Sequence, residues 1–354
     1  MFTNSDSHPG VSSAAMQRAD QLVQQSEFAS ALECLVEEQL RHPSSALEQK
    51  ILDIRLTAFP HIDWGSKPER WPPTHDGRFA KVNGLPEIPH SELDSEAVCA
   101  GVMGAGGLIV RGLLNKQQVE SLRSGIDNTL VARRRLSQGA GEVEDERWFK
   151  RSSRIAGGPA QFGALGARQY SDDGSVWVAD SPKMAHELTA LYAHLGLPRL
   201  LANFFGEPAV LSVKKWVLRK VKPNPTERAG WHQDGRFLGD GIRTVNMWIA
   251  LSECGGGAAA PGMDIVADRD KVIHETGSHG APFDWTVGPG LVDKITQSTP
   301  ALNPQFQPGD ALFFDQYNLH RTGFDAHHSL HRYAVESWFF AASCAPDKQI
   351  PLLF

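Results

Sequence analysis

The sequence predicts a mainly β protein with flanking helices, its strands packed as an antiparallel sandwich or jelly roll, plus a small helical region at the N-terminus. Three observations lead there. From Val210 onward, aromatic or β-branched runs at 210–222, 244–251, 311–315 and 332–341 are bounded by Gly, Pro and Asp, as strands are. No regular helix–strand alternation accompanies them, which disfavours a doubly wound parallel sheet. Residues 12–58, by contrast, repeat apolar side chains at helical spacing.

In the N-terminal region Ala15, Ala19, Leu22 and Val23 share one helical face. After a turn at Ser26-Glu27, Phe28, Ala31, Leu32, Leu35 and Val36 continue the period. His42-Pro43-Ser44-Ser45 stops this second helix and caps a third, with Leu47, Ile51, Leu52 and Ile54 inward. The pattern resembles one tetratricopeptide unit of about 34 residues, and a single unit cannot make a solenoid. Residues 1–59 are therefore expected to form a helical cap that docks a protein partner or a second copy of the chain. Residues 60–92 are rich in Pro, Gly, Trp and charge, without a period, and are expected to be a linker or wrapped loop. Residues 93–354 are expected to form the jelly-roll domain.

Within that domain, Leu108-Ile109-Val110 is a short buried strand, and Asn115 with Gln118 makes a capping box for a helix to about Arg135. Val119, Leu122, Ile126 and Leu130 share a face of that helix. Residues 137–180 are expected to be irregular, and Arg151, Arg154, Gln161 and Arg168 within them are taken as solvated loop residues. Ser181 caps a helix over 182–195 with Pro182 in its first turn, and a shorter helix ends at Gly206.

Bulk properties exclude several function classes. The net charge of −6 and pI near 6.2 argue against nucleic acid as the main partner. No apolar run approaches the roughly 18 residues that span a bilayer. The opening MFTNSDSHPGVSSAAMQ lacks the regions of a secretory signal, so a cytoplasmic location is expected. Cys34, Cys99, Cys254 and Cys344 are widely spaced with no CxxC pair, so free thiols are expected rather than a zinc site or disulfides.

Histidine and carboxylate at i and i+2 of a strand point to the same face and can reach one ion. Three such triplets occur: His61-x-Asp63, His90-x-Glu92 and His232-x-Asp234. The first two fall in the Pro-rich segment, where solvated polar residues are ordinary. The third ends a strand-like run after Gly230-Trp231. Among the histidines that follow it, His320 has the best support as a third ligand: it comes after a Pro308-Gly309-Asp310 turn and the run ALFFD. Two histidines and one carboxylate suit a non-haem Fe(II) site that keeps positions open. Arg332, on a later strand, offers a bidentate grip for a dicarboxylate. Arg321 is its rival, but neighbouring strand residues face opposite ways, so it and His320 do not simply share a pocket. By the same alternation Asn246 shares a face with Trp248.

From about Gly107 to Ala341 the chain resembles the phytanoyl-CoA dioxygenase family of Fe(II)- and 2-oxoglutarate-dependent oxygenases. The stretches that carry the resemblance are GLIVRGLL, FFGEPAVL, LRKVKP, GWHQD, NMWIAL, PGM, FQPGDALFF, LHRTG and HRYAVESWF, in family order. It implies a double-stranded β-helix core of cupin type. It makes His232, Asp234 and His320 the iron ligands, Arg332 the partner of the distal carboxylate of 2-oxoglutarate, and Thr322 and Trp248 lining of the co-substrate pocket. Asn246 is a further pocket residue.

The implied activity is O2-dependent hydroxylation of an unactivated carbon of a small or medium metabolite, releasing succinate and CO2. The same chemistry directed to desaturation, epimerisation or cyclisation is the alternative within the class. A non-catalytic jelly-roll scaffold docking through its N-terminal helices is the alternative outside it. Asp234 disfavours halogenation, since related halogenases carry a small residue there. Two departures make a fatty acyl-CoA substrate an unsafe transfer. Pro261-Gly262-Met263-Asp264 stands where the family has Pro-Gly-Ser-His, and the first 90 or so residues have no counterpart in a minimal member.

Overall fold

A computed structural model describes residues 9–65, 71–150, 174–225, 230–239, 242–267, 272–346 and 349–354. In chain order the N-terminal part holds α1 (Pro9–Gln24), α2 (Phe28–Arg41), α3 (Ser45–Thr57), β1 (Glu87–Pro89), α4 (Ser95–Cys99), β2 (Leu108–Arg111), α5 (Lys116–Ser137) and α6 (Asp145–Trp148). Next come β3 (Ser175–Trp177), α7 (Pro182–His194), α8 (Leu197–Phe205), β4 (Ala209–Val221), α9 (Gly235–Leu238), β5 (Thr244–Ala250) and β6 (Gly262–Val266). The chain closes with α10 (Pro289–Ile295), β7 (Ala301–Leu302), β8 (Ala311–Phe314), β9 (His320–Gly323), β10 (Arg332–Ala341) and β11 (Pro351–Leu352).

The strands form two sheets, as a jelly roll requires. The larger runs β1-β2-β8-β5-β10-β4-β11, with β3 also paired to β4, and the smaller runs β7-β6-β9. Every pairing is antiparallel except β1 with β2. Period-two alternation divides the larger sheet's side chains between two cores. Val245, Met247, Ile249, Phe313 and Val335 face outward into a core shared with α5, α7 and α8. Trp248, Ala250, Leu312, Phe314, Ala334 and Trp338 face inward, where Met263 and Ile265 of β6 meet them. That inward face holds the candidate site.

The local signals account for the helices. The Asn115–Gln118 capping box is present at α5, Ser181 caps α7 with Pro182 at its start, and Ser44 caps α3. Helices α1–α3 enclose a small core of their own, including Leu22, Phe28, Leu35, Leu47 and Ile51. Leu52 and Leu56 of α3 belong instead to the outer core of the sheet. Glu48, fully buried on α3, accepts two hydrogen bonds from Arg147 at 2.8 and 2.7 Å and one from Gln39 at 3.1 Å, with Lys183 Nζ at 3.6 Å. Arg55 and Leu353 exchange hydrogen bonds between α3 and the C-terminus.

Several elements fall where irregular chain was expected. Strand β1 lies inside the 60–92 stretch, while α6 and β3 lie inside 137–180. Arg151, Arg154, Gln161 and Arg168 lie outside the described residues. The four cysteines are free thiols. No helix among the described residues is long and apolar enough to cross a membrane.

Candidate metal and co-substrate site

His232, Asp234 and His320 come together with their ligand atoms within 4.8 Å of one another, the one such histidine–carboxylate group among the described residues. His61 stacks on Phe28, and His90 and Glu92 lie in an exposed 3-10 turn, so neither of the other triplets gathers a metal site. His320 opens β9 and exchanges both backbone hydrogen bonds with His232. This bridge sets the two imidazoles side by side, ring centroids 4.4 Å apart.

Strand alternation explains only part of the His-x-Asp spacing. His232 is extended, but Asp234 has helical backbone angles (φ −65°, ψ −21°) at the entry to α9. The carboxylate therefore reaches the cluster by a turn, with the Gly235 N–H donating to the Gln316 carbonyl. Gln233, between the two ligands, ties this turn down. Its amide donates to the carbonyls of Val272 and Tyr317 and accepts from the His274 N–H at 2.7 Å.

Hydrogen bonding selects the ligand atoms. Nδ1 of His232 lies 3.0 Å from the Gly230 carbonyl and Nδ1 of His320 lies 3.0 Å from the Asn318 carbonyl. A carbonyl only accepts, so each Nδ1 carries a proton, which leaves Nε2 as the atom each ring can offer a metal. Burial, with His320 nearby, pushes His232 down to about 4, so its ring is neutral at physiological pH. Burial opposes ionisation of Asp234, but the Lys215 ammonium foremost outweighs it and holds the carboxyl well below its ordinary range. Two imidazoles and one carboxylate gathered in this way fit a divalent transition metal.

Arg332, first residue of β10, is 3% exposed. Its Nη1 donates to the Gly262 carbonyl at 2.8 Å, Nη2 lies 3.5 Å from Thr322 Oγ1, and Nε has no partner. Burial pushes the guanidinium down to about 10, and no carboxylate among the described residues pairs with it. A buried cation with a spare donor fits a carboxylate ligand.

The other expected residues fall around it. Thr322 lies two residues beyond His320 on the same face of β9. The indole of Trp248 lies under the Arg332 guanidinium, 5.5 Å from ring centroid to Cζ. Asn246 is buried, and its Oδ1 accepts from the Ser337 N–H at 3.3 Å. Arg321 points away, bonded to Asp264 at 2.8 Å and stacked on Trp231. Met263 turns into the inner core, while Asp264 points outward to Arg321 and Asn303.

Sequence reasoning missed two groups. Lys215 Nζ lies 2.6 Å from Asp234 Oδ1, and only its lysine-in-a-strand setting (SVKKW) signalled it. Phe237, Trp285 and Phe283 form an aromatic run beside His232, with Trp285 at 5.6 Å from the imidazole and 5.5 Å from Phe283. They sit in stretches with no period, so no sequence pattern marked them.

Fold and site together define a jelly-roll protein with a two-histidine, one-carboxylate group that could hold a metal ion. The sequence profile of the phytanoyl-CoA dioxygenase (PhyH) family matches residues 103–329, and Arg332 lies just beyond that span. This chain belongs to the phytanoyl-CoA dioxygenase family of Fe(II)- and 2-oxoglutarate-dependent oxygenases.

No curated protein sequence matches the chain. Solved structures similar to it include EctD from S. alaskensis with 2-oxoglutarate and 5-hydroxyectoine, at 16% identity and TM-score 0.46, covering 69% of this chain and 74% of that one. The epimerase SnoN in complex with Fe3+, alpha ketoglutarate and nogalamycin RO is 16% identical at TM-score 0.42, covering 70% and 83%. The carbocyclase SnoK from nogalamycin biosynthesis is 16% identical at TM-score 0.44, covering 72% and 86%. What those proteins bind or convert is a property of those proteins.

Proposed function

We propose that this chain is an Fe(II)- and 2-oxoglutarate-dependent hydroxylase that oxidises an unactivated carbon of a small or medium metabolite. In this reading His232 and His320 hold the iron through Nε2 and Asp234 through a carboxylate oxygen. Arg332 takes the distal carboxylate of 2-oxoglutarate, with Thr322 beside it and Trp248 beneath, and Asn246 lines the same inner wall. Bound iron, 2-oxoglutarate and O2 together supply the oxidising power, with succinate and CO2 as co-products.

The chain's own residues bind and orient. The Gly230 and Asn318 carbonyls hold both Nδ1 atoms, so each ring is oriented with Nε2 as its ligand atom. Phe314, whose ring centroid lies 4.9 Å from that of His320, and Trp338 behind it shield the site from below. Gln233 holds the 272–274 segment against the turn that carries Asp234.

The observation that carries this reading is Arg332, buried without an anionic partner on the face that also presents the metal cluster. The test is conversion of 2-oxoglutarate to succinate by the purified chain with Fe(II) and O2, alone and with a metabolite panel. Succinate above background that disappears in Asp234→Ala is expected. Background succinate under every condition would refute it in favour of a non-catalytic jelly roll.

A further inference from the structure

Strand β4 shifts register against β10 between Ser337 and Phe339, and Lys214 and Lys215 fall at that irregularity. Trp216, next in the chain, points outward, its Nε1–H donating to Tyr192 at 3.3 Å. Lys215 points inward. Its ammonium lies 2.6 Å from Asp234 Oδ1 and 5.2 Å from the Phe237 ring centroid, and its side chain is 14% exposed. Asp234 Oδ2 faces the other way, 3.7 Å from His320 Nε2. The two oxygens of this carboxylate thus have different neighbours: Oδ1 a lysine, Oδ2 the His320 imidazole.

We propose that Lys215 is a positioning residue that confines Asp234 to one-oxygen ligation through Oδ2 and so keeps open the coordination positions 2-oxoglutarate needs. The inference rests on the iron/2-oxoglutarate reading above. A carboxylate can bind a metal through one oxygen or both. Two imidazoles and a one-oxygen carboxylate leave three of six octahedral positions, enough for a chelating keto acid and O2. A chelating carboxylate would take one of these and compete with the keto acid. A short charge-assisted hydrogen bond to Oδ1 disfavours that second contact. The ammonium also repels a divalent cation, so Lys215 does not serve by raising metal affinity. A merely structural lysine and a positioning lysine therefore differ in sign on metal binding.

The test uses the full chain under anaerobic conditions. Mn(II) affinity is measured by calorimetry, and 2-oxoglutarate affinity of the Fe(II) form by its visible charge-transfer band. In Lys215→Met, Mn(II) binding is expected to stay unchanged or tighten. The Kd for 2-oxoglutarate rises by about tenfold, the scale of one such hydrogen bond. Lys215→Arg, which restores a cationic donor, is expected to bring that Kd back most of the way. Unchanged 2-oxoglutarate affinity in Lys215→Met, or loss of Mn(II) and 2-oxoglutarate binding together, would overturn the inference. A wild-type protein that binds no metal and shows no band would overturn the iron reading itself, and the wild-type sample distinguishes the two failures. A crystal structure of the Mn(II)-loaded wild type needs no variant to fold. It should show Asp234 bound through Oδ2 alone with Lys215 on Oδ1, and a chelating Asp234 would refute the proposal.

Discussion

Replacing Arg332 by Met should separate stability from co-substrate binding. In the unliganded protein the guanidinium makes one good hydrogen bond, to the Gly262 carbonyl at 2.8 Å, and two long ones of 3.5 Å, to the Pro261 carbonyl and to Thr322. Losing these costs about 1–3 kcal/mol. Against that, an unpaired buried cation carries a desolvation penalty of several kcal/mol, which methionine removes while keeping packing on Trp248. Thermal unfolding of unliganded Arg332→Met is therefore expected to match wild type or exceed it.

Binding behaves oppositely. A co-substrate carboxylate that pairs with this cation loses about 3–5 kcal/mol when the partner is deleted. At roughly 1.4 kcal/mol per decade that weakens 2-oxoglutarate by about two to three and a half orders of magnitude. Arg332→Lys keeps a point charge without the fork and should fall between. Calorimetric titration of 2-oxoglutarate into the Mn(II)-loaded variants measures this. An Arg332→Met protein with wild-type 2-oxoglutarate affinity, or with unliganded stability reduced by more than about 3 kcal/mol, would show that the arginine is a structural strut.

Glu48→Ala should destabilise the whole protein by about 3 kcal/mol, because it leaves Arg147 and Lys183 facing an empty buried site; urea unfolding reads this directly. Burial pushes His186 below its ordinary value of 6.5. The unfolded chain therefore takes up a proton there before the folded one does, and stability present above about 6.5 is lost as pH falls through the folded value. His186→Gln should flatten the dependence of the unfolding midpoint on pH as pH falls below about 6.5. Gly309 has φ +100°, and an added Cβ would collide with the Leu114 carbonyl oxygen. Gly309→Ala is expected to cost about 2 kcal/mol or more in chemical denaturation.

Much of the fold was legible because its elements announce themselves locally. The capping box at Asn115, the Pro182 start of α7 and the apolar runs of β4, β5 and β10 each carry a strong short-range signal. Strands β1, β3 and β6 are brief and flanked by Pro or Gly, so their extended form comes from pairing with distant strands. Of the candidate site, the three residues that gather were legible by type and spacing, although Asp234 arrives by a helical turn. Lys215 was not, because its contact with Asp234 comes from a strand whose register irregularity only pairing with β10 creates.

The most direct test of the central claim is the anaerobic spectrum of the purified chain with Fe(II) and 2-oxoglutarate. A visible charge-transfer band that is absent in Asp234→Ala and His320→Ala is the result expected if these residues hold iron open to a chelating keto acid. No band in the wild type, or an equal band in both variants, would contradict it.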